Sequence, residues 1–519
     1  METKLSSSKV VVHNAFYNLL GYGASALYML FLLPVVVHYL GIELFGLWSL
    51  IIALTGYFAL ADLGLNTSFA KYVAEYVSLR DYANVTKVIH QGFLYYISVS
   101  LIILCLGILV FPFLFSLLHI PQEKYDLARN VFMLSLVGFG VASIASVFVG
   151  VLNGIQRSDV LSLLTAATLV VKFVAITAAL AGGKGLTGLV VADLIVAAVS
   201  VVPLVVMTKK CLPEVSLRWT RYDHTLMKRL LRFGMQLQVS RFAELVQSQF
   251  DKLLLTRFVG LSSVSMYDFG SRPLGRLRAF PLTALSALVP AVSELDAERN
   301  TERIHAALVR GTRYVIVLSV PLFLFLVFFA NEVITVWLGE GFGQAASTLR
   351  LLSLAYFVSV MAGVPAFVAQ GIGEPGYQMH ATLLQSGLNI VLSTALVISL
   401  GYFGAVIGTA IAGIVGGTVF LHRFGKRFTP TLLVTIFSVT LKPLVSIAPA
   451  IIVGMFVNHL MVDIFSVDTR VGILATLVVV GSLFLAVYIA MLVLTNVFDA
   501  DDKGFIINVV PEKFRRLLQ

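Results

Sequence analysis

Long apolar runs, separated by short polar breaks, follow one another along almost the whole chain. Each run is close to the ~20 residues that an α-helix needs to cross a bilayer. They predict about fourteen transmembrane helices, near residues 10–38, 42–70, 86–116, 126–154, 158–181, 185–208, 227–256, 260–293, 305–330, 345–370, 375–400, 403–422, 430–458 and 470–496. No long polar segment interrupts them, so the pattern favours an all-α polytopic membrane protein.

The composition strengthens this prediction. The 519 residues are 58% hydrophobic and only 12% charged, whereas a soluble domain averages about 25% charged residues. The net charge of +10 comes with basic breaks between apolar runs, as in cytoplasmic loops, so we do not expect a nucleic-acid partner. Two isolated cysteines, Cys105 and Cys211, suit neither a disulfide nor a CxxC metal site.

Lysine and arginine set the expected orientation. With the N-terminus inside, most basic residues fall in cytoplasmic loops, among them Lys71, Arg80 and Arg157. The outer loops then hold little beyond Lys124, Lys184, Arg257 and Arg470. We therefore expect a multi-pass protein of the bacterial cytoplasmic membrane, with an uncleaved first helix and both termini in the cytoplasm.

A weak internal repeat, with an offset near 218 residues, divides the chain. Tyr39-Leu40-Gly41 matches Phe258-Val259-Gly260, and the helix ends at 151–155 and 368–372 correspond. The offset spans six helices, an even number, so the two copies run in the same direction, as parallel repeats do. The expected domains are an N-lobe at 1–208, a basic cytoplasmic linker at 209–226, a C-lobe at 227–424, helices 13–14 at 425–496 and a cytoplasmic tail at 497–519. The basic region between the copies suits a solvated loop or an amphipathic element on the anionic inner leaflet.

Two predicted helices carry polar stripes at helical spacing. The first stripe holds Gln238, Arg241, Glu244, Ser248 and Asp251, and the second holds Asp268, Arg272 and Arg276. Each charge near the bilayer centre costs roughly 2.5–3.5 kcal/mol on insertion scales, so such residues need partners or water. These stripes therefore predict either a polar transport path or ion pairs that stabilise helix packing.

The stretch YLGIELFGLWSLIIALTGYFALADLGLNTSFAKYVAEY at 39–76 resembles the N-terminal signature of polysaccharide-export flippases. These Wzx-like proteins form the polysaccharide-transport branch of the multidrug/oligosaccharidyl-lipid/polysaccharide (MOP) exporter superfamily. The segment 258–295 looks like a later landmark of the same family. The resemblance implies a MATE-like fold, with two six-helix lobes around a central cavity plus two C-terminal helices. It also implies alternating access that moves an undecaprenyl-pyrophosphate-linked oligosaccharide to the outer leaflet. Helix 1 lacks the arginine of the lipid II branch.

A lipid pyrophosphate needs cationic side chains to replace its hydration. The candidate cations are Lys172, Arg241, Arg272 and Arg276. The candidate partner or coupling carboxylates are Asp62, Asp193, Glu244, Asp251 and Asp268, of which Asp193 has no obvious partner in the sequence. The candidate sugar path holds Tyr22, Tyr57, Asn66 and Gln238. Structural ion pairing or helix packing is the competing interpretation for every one of them.

The expected partners are a polyprenyl-pyrophosphate-linked glycan, membrane lipids, a coupling ion (H⁺ or Na⁺), and the polymerase and other polysaccharide-assembly proteins. We expect neither an enzymatic activity nor a cofactor or metal. The alternative function is a cation-coupled antiporter for small molecules or drugs, built on the same fold. A membrane glycosyltransferase would need a large outer loop or a soluble domain, and the sequence predicts neither.

Overall fold

The computed structural model describes residues 7–216, 221–235, 238–284, 288–428, 432–465 and 469–498, and every regular element in these ranges is a helix. The α-helices are α1 (Ser7–Phe58), α2 (Leu65–Ser78), α3 (Tyr82–Leu117), α4 (Tyr125–Gly154), α5 (Ser158–Ala181), α6 (Gly185–Cys211), α7 (His224–Met235), α8 (Gln238–Phe258), α9 (Leu261–Ala284), α10 (Leu288–Ala297), α11 (Thr301–Phe328), α12 (Ala330–Leu338), α13 (Gly343–Met361), α14 (Gly363–Gly371), α15 (Gly376–Leu400), α16 (Tyr402–Phe428), α17 (Leu432–Phe465) and α18 (Arg470–Leu494). Short 3₁₀ turns occupy Ala59–Asp62 and Gln122–Lys124.

Within the described ranges, eleven helical segments are long and apolar enough to cross a membrane. One of them, Tyr17–Ser78, has 62 residues and is kinked at Gly41, so it is long enough for the two helices predicted there. The predicted helices at 227–256 and 260–293 are not among the eleven, because the charged stripes of α8 and α9 lower their hydropathy. The predicted all-α, multi-pass fold is confirmed.

The repeat is visible in the backbone. Residues with positive φ, a conformation that side chains with a Cβ rarely adopt, recur at offsets of 216 to 219 residues. The matching pairs are Gly41 and Gly260, Arg80 and Arg299, Gln156 and Gly373, and Gly185 and Gly401. After the second pair, Asp81 and Asn300 each cap the next helix by accepting a backbone N–H three residues on, at 3.0 and 3.1 Å. Equivalent turns therefore join equivalent helices in the two copies.

The chain forms two compact units. The first unit comprises Met1–Ser265 with Ser393–Ala405, and the second comprises Met266–Leu392 with Val406–Gln519. In the first unit, α1 packs against α5, and α4 packs against α3 and α6. In the second unit, α11 packs against α13 and α17, and α17 packs against α18.

The core of the first unit includes apolar residues of the basic region. Leu212, Val215, Leu226 and Leu230 are buried with residues of α2, α3 and α4. Ser68 Oγ donates to the carbonyl of Leu230 at 2.8 Å, which fixes α7 against α2. The apolar face of α7 therefore packs on the protein, because α2 and α3 supply an apolar surface that no local sequence pattern shows.

In the second unit, the two helices that lie beyond the repeat join the core. Ile447 of α17 and Phe484 and Tyr488 of α18 are buried together with Ile316 and Val320 of α11. The Tyr488 hydroxyl donates to the carbonyl of Val317 at 3.1 Å, so the buried phenol is satisfied. The appended pair is thus an integral part of this unit.

Candidate functional site

In the first unit, an ion pair joins α5 to α6. Lys172 Nζ lies 2.5 Å from Asp193 Oδ1, although the two residues are 21 positions apart in sequence. Asp193 also lies near Tyr28 of α1. Asp193 has no obvious partner in the sequence, and the structure corrects this, because the packing of α5 on α6 brings Lys172 beside it.

Helical spacing shows which side of α5 and α6 the Lys172–Asp193 pair faces. The exposed apolar side chains of α5 include Leu163, Val170 and Val174, and Lys172 lies about 160–180° around the helix from them. By the same spacing, Asp193 lies roughly opposite Val202 on α6. The pair therefore faces away from the apolar stripes that suit lipid. It nevertheless stays accessible, with side-chain exposures of 23% for Lys172 and 42% for Asp193.

In the second unit, an ion pair lies within α9. Arg272 Nη2 is 2.5 Å from Asp268 Oδ2, one helical turn away. The Asp268 side chain is 1% exposed and that of Arg272 is 22% exposed. Arg276, one further turn along, is half-buried, whereas Arg278 is exposed. This unit therefore also carries a partly accessible cation that a carboxylate holds in place.

The other candidate carboxylates lie in different surroundings. Asp62 ends a 3₁₀ turn and accepts a hydrogen bond from the Tyr96 hydroxyl of α3. Asp251 of α8 is fully buried and lies near Tyr57 of α1. Glu244, on the same predicted stripe, is exposed. Along the described part of this stripe, Glu244 and Ser248 are exposed and Asp251 is buried.

The residues of the predicted sugar path lie on α1, α2 and α8. Asn66 of α2 donates from Nδ2 to the carbonyl of Ser146 on α4 at 3.2 Å, a helix-packing contact. Tyr22 and Tyr57 are half-buried. Gln238 and Arg241 lie in the first turn of α8, and their side chains are outside the part of the structure that is described.

Sequence reasoning missed the tyrosines that accompany the carboxylates. Tyr96 bonds Asp62, and Tyr95 donates to the carbonyl of Ala61 at 2.6 Å, both across 34 residues of sequence. One signal was available, since a tyrosine inside an apolar helix needs a partner for its hydroxyl. A second missed group lies in the second unit, where Asn389 Nδ2 donates to Thr409 Oγ1 at 2.9 Å. Among the described residues, no three His, Cys, Asp or Glu side chains come together as a metal-ligand set.

Comparisons with known proteins agree with this architecture. The family described as "Polysaccharide biosynthesis protein" matches residues 11–296, more than half of the chain, and the MatE family matches residues 237–395. A putative O-antigen transporter of Shigella flexneri is 22% identical over 376 residues, which are 70% of this chain and 85% of the relative. A probable low-salt glycan biosynthesis flippase of Haloferax volcanii is 23% identical over 36% of this chain and 39% of its own length.

Solved structures show the same fold. An inward-facing multidrug-resistance MATE transporter of the MOP superfamily has a TM-score of 0.68 at 18% identity, covering 81% of this chain and 96% of that one. The lipid II flippase MurJ in an inward closed conformation has a TM-score of 0.66 at 16% identity, covering 92% and 97%. At these identities the likeness concerns the fold alone. The family match over more than half of the chain shows that it belongs to the polysaccharide biosynthesis protein family, and its fold is the one seen in MATE-like transporters.

Proposed function

We propose that this transmembrane transporter is a flippase for a polyprenyl-pyrophosphate-linked oligosaccharide. It moves this lipid from the cytoplasmic to the outer leaflet by alternating access. The observation that carries the proposal is the presence, in each unit, of an accessible basic side chain paired with a carboxylate, Lys172 with Asp193 and Arg272 with Asp268. The names of the Shigella and Haloferax relatives support the same substrate class.

The chemistry of these pairs suits a phosphate ligand. A lone ammonium or guanidinium at bilayer depth is costly, so the carboxylate lowers the cost while the site is empty. A pyrophosphate offers oxygens of the same charge and geometry as a carboxylate, and the guanidinium of Arg272 suits them well. Substrate oxygens therefore replace or share the carboxylate contact, and each basic group stays compensated throughout.

The family resemblance and the chain's basic residues support three further parts of the proposal: the orientation in the membrane, the coupling ion and the onward transfer of the flipped lipid. The protein lies in the bacterial cytoplasmic membrane with both termini in the cytoplasm, because Lys and Arg concentrate in alternate loops. A coupling ion, H⁺ or Na⁺, uses carboxylates such as Asp62, Asp193 or Asp251. The flipped lipid passes to a polymerase and other assembly proteins on the outer side.

A second candidate function is a cation-coupled antiporter for small molecules. The fully buried Asp251 in α8 favours it, because a buried carboxylate suits the binding and release of a proton or sodium ion. The accessible basic groups argue against a cationic drug as cargo, because like charges repel it.

Complementation tests the proposal. The wild type is expressed in a bacterium that lacks its own O-antigen flippase, beside Lys172→Ala, Arg272→Ala and the control Arg278→Ala at matched membrane levels. We expect the wild type and the control to restore surface glycan. Loss of a charge-assisted contact of about 1.5–3 kcal/mol predicts roughly a tenfold or larger drop in the two test variants.

Three results would count against the flippase proposal. Full activity of both alanine variants would remove the basic groups from substrate binding. Failure of the wild type across hosts with different glycans would remove the substrate class. Drug resistance conferred by the wild type and abolished by Asp251→Asn would favour the antiporter instead.

A further inference from the structure

A pocket lies at the end of the first unit opposite α7. Three turns meet there: the kink of α1, the connection from α3 to α4, and the connection from α8 to α9. Its volume is about 220 Å³, and its lining includes Glu43, His119, Thr256, Gly260 and Ser262. All of its lining residues belong to the first unit. None of them is among the candidate transport residues described above.

The backbone around this pocket is held tightly. Ser265 Oγ donates to the carbonyl of Ile42 at 2.5 Å, which ties α9 to the kink in α1. A Cβ on Gly46 would collide with the carbonyl of Leu261, so the two segments are in close contact. His119 has a φ of 52°, and its Nδ1 lies 3.3 Å from the carbonyl of Leu117. The pocket is therefore a defined feature of this end of the unit.

The charge of the pocket selects the class of ligand. Glu43 carries a negative charge and forms an ion pair with Lys124, so the local charge is balanced. A balanced site gives no net attraction to a phosphate or to a cationic drug. It does offer a carboxylate, an imidazole and the hydroxyl of Ser262 as hydrogen-bonding groups. The buried Thr256 hydroxyl already donates to the carbonyl of Lys252 at 2.7 Å, so its oxygen can only accept. Such a set suits a neutral molecule that has several hydroxyl groups.

The volume of the pocket and two aromatic residues close to it in sequence limit further which neutral molecule it suits. Ligand pockets usually span roughly 300–1,000 Å³, so about 220 Å³ suits one ring rather than a chain. Tyr39 and Phe258, each two residues before a glycine with positive φ, are close in sequence to the lining residues and half-exposed. Aromatic side chains with one apolar face and one wet edge suit the mixed surface of a sugar ring.

We propose that this pocket binds a single neutral pyranose, a hexose or an N-acetylhexosamine, with Glu43 accepting hydrogen bonds from its hydroxyls. The inference rests on the proposed function, since a flipped glycan brings sugar rings to this end of the protein. It assigns to the chain a sugar-binding subsite separate from the basic groups that take the pyrophosphate. The subsite holds one unit of the glycan after the lipid head group has left the bilayer centre.

Thiol protection on the full-length protein tests the pocket directly. Cys105 and Cys211 are replaced by serine, and a single cysteine is introduced as Ser262→Cys inside the pocket or Lys184→Cys elsewhere at the same end. Each protein is purified and labelled with a maleimide in the presence of glucose, galactose, mannose, N-acetylglucosamine or inorganic phosphate. We expect at least one neutral sugar to slow labelling at 262 and leave labelling at 184 unchanged.

Two further substitutions identify the carboxylate as the ligand group. Glu43→Gln removes the charged acceptor, and we expect about a tenfold weaker protection by the same sugar. Lys124→Gln breaks the same ion pair but leaves the carboxylate, so we expect protection to persist. If both substitutions abolish protection equally, the ion pair is structural and the role given to Glu43 is wrong.

The remaining outcomes are equally decisive. No protection by any neutral sugar, equal slowing at 262 and 184, or protection by phosphate alone would overturn the proposed subsite. Sugar binding is measured on purified protein without transport, whereas the flippase function is measured by complementation. A protein that complements but shows no protection would refute only the subsite. A protein that shows protection but never complements would refute only the flippase.

Discussion

The two ion pairs differ in how they are built. Lys172 and Asp193 join two helices, and the carboxylate is 42% exposed. Arg272 and Asp268 lie one turn apart on a single helix, and the carboxylate is 1% exposed. An accessible carboxylate remains hydrated when it separates from its partner, whereas a buried one pays a large desolvation cost. The first pair can therefore open for a ligand more easily than the second.

Under the proposed function, this difference gives the two units distinct tasks. In the first unit, Lys172 can exchange its partner, which suits a group that binds and releases a phosphate in each cycle. In the second unit, Asp268 keeps Arg272 in a fixed position, so the guanidinium is oriented in advance for its ligand. Three sets of substitutions test this contrast between the two ion pairs.

Asp268→Asn should have the largest effect. It leaves the guanidinium of Arg272 without its buried counter-charge, and breaking such a pair typically costs about 3–5 kcal/mol. We expect a clear fall in the thermal midpoint in detergent, together with loss of complementation. Glu294→Gln, which changes an exposed carboxylate of the same unit, is the control. An unchanged midpoint for Asp268→Asn would mean that this pair is not held more rigidly than the other.

Exchanging the charges, as Lys172→Asp with Asp193→Lys, separates structure from function in the first unit. The ion pair can form again between α5 and α6, so we expect stability close to wild type. Transport should fall roughly tenfold or more, because the basic group now projects from the other helix. Complementation and membrane abundance are measured on the same cells. Recovered transport would show that only the pairing matters and that Lys172 does not bind substrate.

Asp193→Asn alone should have the smallest effect. Because both side chains are accessible, water can hydrate Lys172 once the carboxylate is gone, so the pair contributes only about 0–1 kcal/mol to stability and the thermal midpoint should barely change. Lys172 then meets substrate without a competing carboxylate, and we expect binding of the lipid-linked glycan to be as tight or tighter. Turnover in proteoliposomes should slow, since release no longer has the carboxylate to replace the phosphate. Loss of substrate binding in this variant would contradict the exchange mechanism.

The sequence anticipated the ion pair between residues one helical turn apart, and it missed the ion pair that joins two helices. Asp268 and Arg272 are four residues apart, and helical periodicity brings them together without tertiary information. Lys172 and Asp193 meet only because α5 and α6 pack at one particular rotation, so each was predicted as a separate candidate. The same reason hid the bond between Tyr96 and Asp62, and it hid the packing of α7 on α2.

The class of fold, the family and the internal repeat follow from the sequence alone, because hydrophobic runs and turn glycines are read along the chain. The positive φ at Gly41 and Gly260 agrees with the landmarks by which the repeat was found. The folded structure is needed to establish which charges are paired, how deeply each carboxylate is buried, and that three distant turns enclose a pocket beside Glu43. These properties depend on the rotation and contact of whole helices, and no local spacing of residues encodes them.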